Sequence, residues 1–149
     1  MKNRILGTAL IAAIAFSTSV TAAGHDPVEA RIALMKGVGA AAGAGGKILK
    51  GEIEFTPEAA LEALTALNTA ALALGDKFPA GTDGDSRSSA APAIWTDADG
   101  FQVAVAKFVA DSQAALDNPP QDVAAFGAAF GAVASNCRAC HESYRIRKN

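Results

Sequence analysis

The chain has 149 residues and only two cysteines, and both sit in one pentapeptide, so no disulfide framework can span the fold. It has one Trp and one Tyr, and aromatics make up 6% of the whole, so small side chains, alanine above all, must build most of the interior. No stretch alternates Val, Ile or Thr with polar residues in the period of two that a half-buried strand requires, which argues against a sheet. An excess of positive charge is also missing. Thirteen Lys and Arg against fifteen Asp and Glu give a formal charge of −2, which argues against nucleic acid as a partner. The length suits one domain and not two typical ones.

What is present begins with a leader. Lys2 and Arg4 precede a short apolar stretch at residues 5–16, and Val20-Thr21-Ala22-Ala23 supplies small residues for cleavage after Ala22 or Ala23. Residues 1–23 therefore read as a secretory signal peptide, with an apolar run too short to span a bilayer. Cleavage leaves eleven cations against fifteen carboxylates, a charge of −4.

Residues 24–149 read as four helices, hence an all-α antiparallel four-helix bundle. The first opens at Asp26-Pro27, an N-cap followed by proline at N1. Its predicted inner line is Val28, Ile32, Met35, Gly39, Ala42, Gly46 and Leu49, with a stop near Lys50-Gly51. The same helix carries Gly37, Gly39, Gly43, Gly45 and Gly46, which either admit close packing or weaken it locally. The second opens at Thr56-Pro57, buries Leu61, Leu64, Leu67, Ala71 and Leu74, and stops at Gly75. A long polar loop rich in Gly, Ser and Asp follows over residues 76–96, ending on the apolar anchor Ile94-Trp95. The third helix is expected to start near Thr96 with Asp99 as capping-box partner, and to face inward through Phe101, Val105, Phe108, Ser112 and Ala115. The fourth follows Pro119-Pro120. Val123, Phe126, Phe130, Val133, Cys137, Cys140 and Tyr144 form a heptad seam, which directs both cysteines into the bundle.

That seam ends in Cys137-Arg138-Ala139-Cys140-His141, the attachment pattern of covalent haem c. Residues i and i+3 of a helix project to one side, so two thiols there can add to the two vinyl groups along one haem edge. His141 is then placed to reach the iron from one face as proximal ligand. A thioredoxin-like dithiol needs a preceding strand and a βαβ context. A zinc site needs four ligands, and the one other histidine is His25 at the start of the mature chain.

The eight residues after His141 contain neither Met nor His, so a sixth ligand must come from upstream. Met35 is the one methionine outside the leader. Bound to iron it would give a low-spin electron-transfer centre of raised potential; as a core filler it would leave a five-coordinate iron open to small gases.

The whole mature chain resembles the cytochrome c′ family, the class II c-type cytochromes. The resemblance lies in Arg31 with Met35 four residues on, Phe78 with Gly81-Thr82, Ile94-Trp95-x-Asp97 followed by Phe101, and the C-terminal haem motif continued by Tyr144-Arg145. The stretches around Met35 and Lys50-Gly51-Glu52 are similar to the low-spin, six-coordinate subgroup. The resemblance implies one covalent haem c with thioethers at Cys137 and Cys140, Arg31 near a haem propionate, Thr82 at the haem edge, Arg145 beside the proximal histidine and Met35 in the distal position. It also implies a homodimer paired through the first two helices. From the residues alone, the other reading of Arg31 is a solvated helix charge, and that of Arg145 an ordinary cation favoured by the helix C-terminus. No acid/base pair or nucleophile constellation is visible. The expectation is a periplasmic electron carrier exchanging electrons with redox partner proteins, not an enzyme. The alternative is a binder of nitric oxide or carbon monoxide.

Overall fold

The computed structural model describes residues 26–147; the leader assigned to residues 1–23 lies outside them. Five α-helices follow in order: α1 (Pro27–Leu49), α2 (Pro57–Leu74), α3 (Ala93–Thr96), α4 (Ala98–Asp117) and α5 (Val123–Tyr144), with a 3-10 turn at Gly75–Lys77. The four long helices form the bundle. α2 packs on α1 and α4, α4 packs on α5, and α1 and α5 meet only sparsely.

Local chemistry sets the ends. The Asp26 carboxylate accepts from Val28 N at 2.8 Å, and the Thr56 hydroxyl accepts from Ala59 N at 3.1 Å, each ahead of a proline in the first turn. α1 closes on Gly51 at φ 73°, where Glu52 N donates to Lys47 O and Gly51 N to Ile48 O. That pairing needs a left-handed residue, so glycine fits. The five glycines do not end α1 early. Gly45 alone is closely approached, by the Phe130 ring, while Gly37, Gly39, Gly43 and Gly46 face open space.

The expected inner face of α4 is the observed one: Phe101, Val105, Phe108, Ser112 and Ala115 are all buried. Four expectations are corrected. In α1 the packed residues are Val28, Arg31, Val38, Ala41, Gly45 and Ile48, while Leu49 is exposed. The predicted line was rotated by about one residue, because a helix so rich in Gly and Ala offers little polarity contrast to fix its phase. Leu61 is exposed and Ala60 and Ala63 are buried in its place; α2 meets its neighbours through small residues that let the backbones approach. Val123 is exposed because it occupies the first residue of α5, beyond the reach of the other helices. Ile94 and Trp95 lie in a separate short helix, and the cap of α4 is Asp97, whose carboxylate accepts from Gly100 N at 3.3 Å.

The buried interior joins Leu64, Leu67, Leu74, Phe101, Phe108, Phe126, Phe130 and Val133. Its polar exceptions are satisfied: Asn68 Nδ2 donates to Ser112 Oγ at 3.1 Å, and Ser112 donates to Phe108 O at 2.7 Å. By length and composition α1 and α5 could each cross a membrane, but here their apolar faces are used against the bundle.

Candidate functional site

A cavity of about 530 Å³ opens where α1 and α5 part, walled by α1, α4, α5, Phe78 and residues 88–90. Its size is that of a small-molecule or cofactor site. The α1 residues predicted as the inner line, Ile32, Met35, Gly39 and Ala42, face this cavity, with Met35 and Ala42 also packed against the edge of the core. Cys137, Cys140 and His141 stand on the α5 wall. The seam leads to the cavity, and the buried position of this turn is Asn136, which donates to Asp111 Oδ2 at 2.7 Å.

Burial raises the pKa of both thiols, so Cys137 and Cys140 are held as neutral SH groups. Desolvation, and then the nearby Arg145 charge, push the His141 imidazole below its usual range. A neutral imidazole is the form that binds a metal.

Arg31 is 3% exposed and lies under the long loop. Nε donates to Ser88 Oγ at 3.0 Å, and the two terminal nitrogens donate to Thr82 Oγ1 and Thr82 O, each at 2.9 Å. Phe78 and Trp95 present their rings to the guanidinium at 5.3 and 5.7 Å. Ser88 Oγ also accepts from Ala90 N at 3.1 Å. Desolvation lowers the pKa of Arg31, and no carboxylate of the described residues lies within ion-pair distance of it. Thr82 does not line the cavity: it is spent on Arg31 and on Pro79 O, to which its hydroxyl donates at 2.8 Å.

Arg145 lines the cavity mouth. Its segment is stitched to the loop: Ala91 N donates to Tyr144 O at 3.0 Å and Ile146 N to Ser89 O at 2.8 Å. An edge-to-face chain of rings runs from Trp95 through Phe78 and Phe101 to Tyr144, with centroids 5.0–6.1 Å apart. Tyr144 Oη donates to Asp97 Oδ2 at 2.9 Å, tying the end of α5 to the start of α4. The sequence reading missed Ser88 and Asn136. Ser88 sits in a Ser-Arg-Ser-Ser run that reads as generic loop, and Asn136 interrupts an apolar helix without any spacing signal of its own.

These residues fit a haem. The wall is apolar, two thiols and an imidazole share one helix, and a buried guanidinium that lacks a carboxylate partner stands at the wall, as an anionic propionate would require. Every charged residue lining the cavity is a cation: Arg31, Lys36, Arg87 and Arg145.

A helical bundle with a C-terminal Cys-x-x-Cys-His facing such a cavity defines a class II type of c-type cytochrome. The family model described as Cytochrome C' matches residues 26–145, and the chain belongs to that family. Over 148 residues it is 37% identical to cytochrome c-556 of Agrobacterium fabrum (strain C58), covering 99% of each chain. It matches the structure of cytochrome c′ from Rhodopseudomonas palustris with a TM-score of 0.79 and 31% identity, over 85% of this chain and 100% of that one. An NMR-validated structural model of oxidized R. palustris cytochrome c556 matches with a TM-score of 0.75 and 30% identity, over 83% and 98%. The c-556 relatives agree with the resemblance to the low-spin subgroup. Proteins of the cytochrome c′ family bind one covalent haem c and are generally periplasmic.

Proposed function

We propose that this chain is a periplasmic electron carrier whose single haem c is held by Cys137 and Cys140, with His141 as proximal and Met35 as distal iron ligand. The observation that carries this reading is that Met35 on α1 and the motif on α5 face one cavity from different helices. When bound, the haem supplies a one-electron centre. Cys137 and Cys140 would hold the haem through one thioether each, at its two vinyl groups. Neutral His141 offers its nitrogen lone pair, and Met35 offers a thioether, a soft ligand that raises the reduction potential. Arg31, fixed by Ser88 and Thr82, provides a cation for a propionate, and Arg145 keeps positive charge beside the proximal side. The apolar wall keeps water away. Residues 1–23 are the export signal, and the mature protein pairs through α1 and α2 as a homodimer.

Reduced protein mixed with carbon monoxide tests the carrier reading. A closed, six-coordinate carrier takes up little of the gas at modest concentration. Rapid uptake of carbon monoxide, or of nitric oxide to a five-coordinate product, makes the protein a gas binder instead. Sedimentation at micromolar concentration tests the dimer.

A further inference from the structure

Charge is distributed very unevenly over the molecule. Residues 26–147 hold ten Lys and Arg against fifteen Asp and Glu. Six of the ten cations, Arg31, Lys36, Arg87, Arg138, Arg145 and Arg147, line the cavity or the recess beside His141. Among the fifteen carboxylates only Glu142 does so. Three of the six are spoken for. Arg31 is buried under the loop, Arg87 is held by Asp26, Asp85 and Glu29, and Arg138 donates to Glu142 at 2.7 Å. Asp97 stands nearby as acceptor of the Tyr144 hydroxyl. Lys36, Arg145 and Arg147 remain: all three are exposed, with no carboxylate of the described residues within 4 Å.

Arg31, buried at the cavity wall, would serve one haem propionate and a single outer cation the other, which leaves the remaining outer cations free of that duty. Exposed cations beside the cavity that would hold the haem, on a protein that is acidic elsewhere, form a field that attracts and orients an anionic surface. We propose that Lys36, Arg145 and Arg147 form the docking surface for an acidic redox-partner protein, which approaches the cavity mouth and the proximal side. This rests on the electron-carrier reading. A partner with a basic face would be repelled here and drawn to the acidic remainder of the molecule.

The test is stopped-flow oxidation of the reduced holoprotein by hexacyanoferrate(III), an anion that accepts one electron and becomes hexacyanoferrate(II). With the collar in control, the rate constant falls by about fivefold as ionic strength rises from roughly 0.01 to 0.3 M, although the protein as a whole is an anion. With tris(phenanthroline)cobalt(III), a cation, the slope reverses. The Lys36→Glu/Arg147→Glu double variant inverts the hexacyanoferrate slope. A poly-L-glutamate peptide slows the oxidation and shifts the backbone amides of Lys36, Arg145 and Arg147 in NMR spectra of the reduced holoprotein. A hexacyanoferrate rate that rises with salt, or peptide-induced shifts confined to other faces, overturns the collar and leaves the carrier reading intact. Failure to exchange electrons with either complex overturns both.

Discussion

Arg31 on α1 donates from Nε to Ser88 Oγ at 3.0 Å, and this one contact joins the first helix to a loop 57 residues away. Two further donations to Thr82 complete the clamp. Arg31→Gln cannot span both partners. We expect the holoprotein to lose about 2 kcal/mol in chemical denaturation, less than three charged hydrogen bonds suggest, because a costly buried charge is removed as well. Amide exchange at residues 82–90 should quicken in the same variant. Unchanged protection of that segment would show that the loop is held by other contacts.

Gly45 lies under the Phe130 ring, and an added Cβ would overlap it. Gly45→Ala is expected to destabilise by about 1–3 kcal/mol through overpacking. Gly43→Ala, in open space two residues earlier on the same helix, should stabilise by up to about 1 kcal/mol through helix propensity. Thermal unfolding of the pair reads both signs; equal effects would mean that Phe130 is free to move aside.

The Asp85 carboxylate is bound by the Arg87 side chain and then by the Arg87 backbone N–H, which lower its pKa from 3.8 to about 2. A depressed carboxylate pKa contributes stability that is present above the unfolded value and is lost as pH falls through the folded one. The contacts of residues 85–88 should therefore hold at pH 5 and loosen between about pH 4 and pH 2. A carboxyl NMR titration should place Asp85 near 2, and Arg87→Gln should return it toward 3.8. An unshifted Asp85 in the parent protein would dissolve the cluster.

Asn68 and Ser112 form a buried polar pair between α2 and α4. Ser112→Ala leaves the Asn68 amide without its acceptor in an apolar interior, at an expected loss of about 1–3 kcal/mol. Adding Asn68→Leu removes the unpaired group and should recover part of that loss. Additive losses in the double variant would mean that the hydrogen bond contributes nothing beyond packing.

Much of this structure is legible in the residues. The caps Asp26 and Thr56 and the inner face of α4 were all readable, because short-range chemistry and a strong contrast between Phe, Val and polar neighbours define them. Family membership was readable too, from a motif whose place near the C-terminus narrows its meaning. The phase of α1 was not, for two reasons. It is built of Ala and Gly, and it serves two masters, packing Val38, Ala41 and Ile48 against the bundle while turning Ile32, Met35 and Ala42 to the cavity. The role of Thr82 depended on where a loop folds, and loop geometry leaves little trace in local composition. Ser88 was invisible for the same reason.

The optical spectrum of the purified ferric protein, beside that of Met35→Ala, decides whether Met35 binds the iron. The expected result is a low-spin spectrum with a methionine–iron charge-transfer band that the substitution abolishes, leaving a high-spin centre. A high-spin ferric spectrum in the parent protein, unchanged in Met35→Ala, would contradict it.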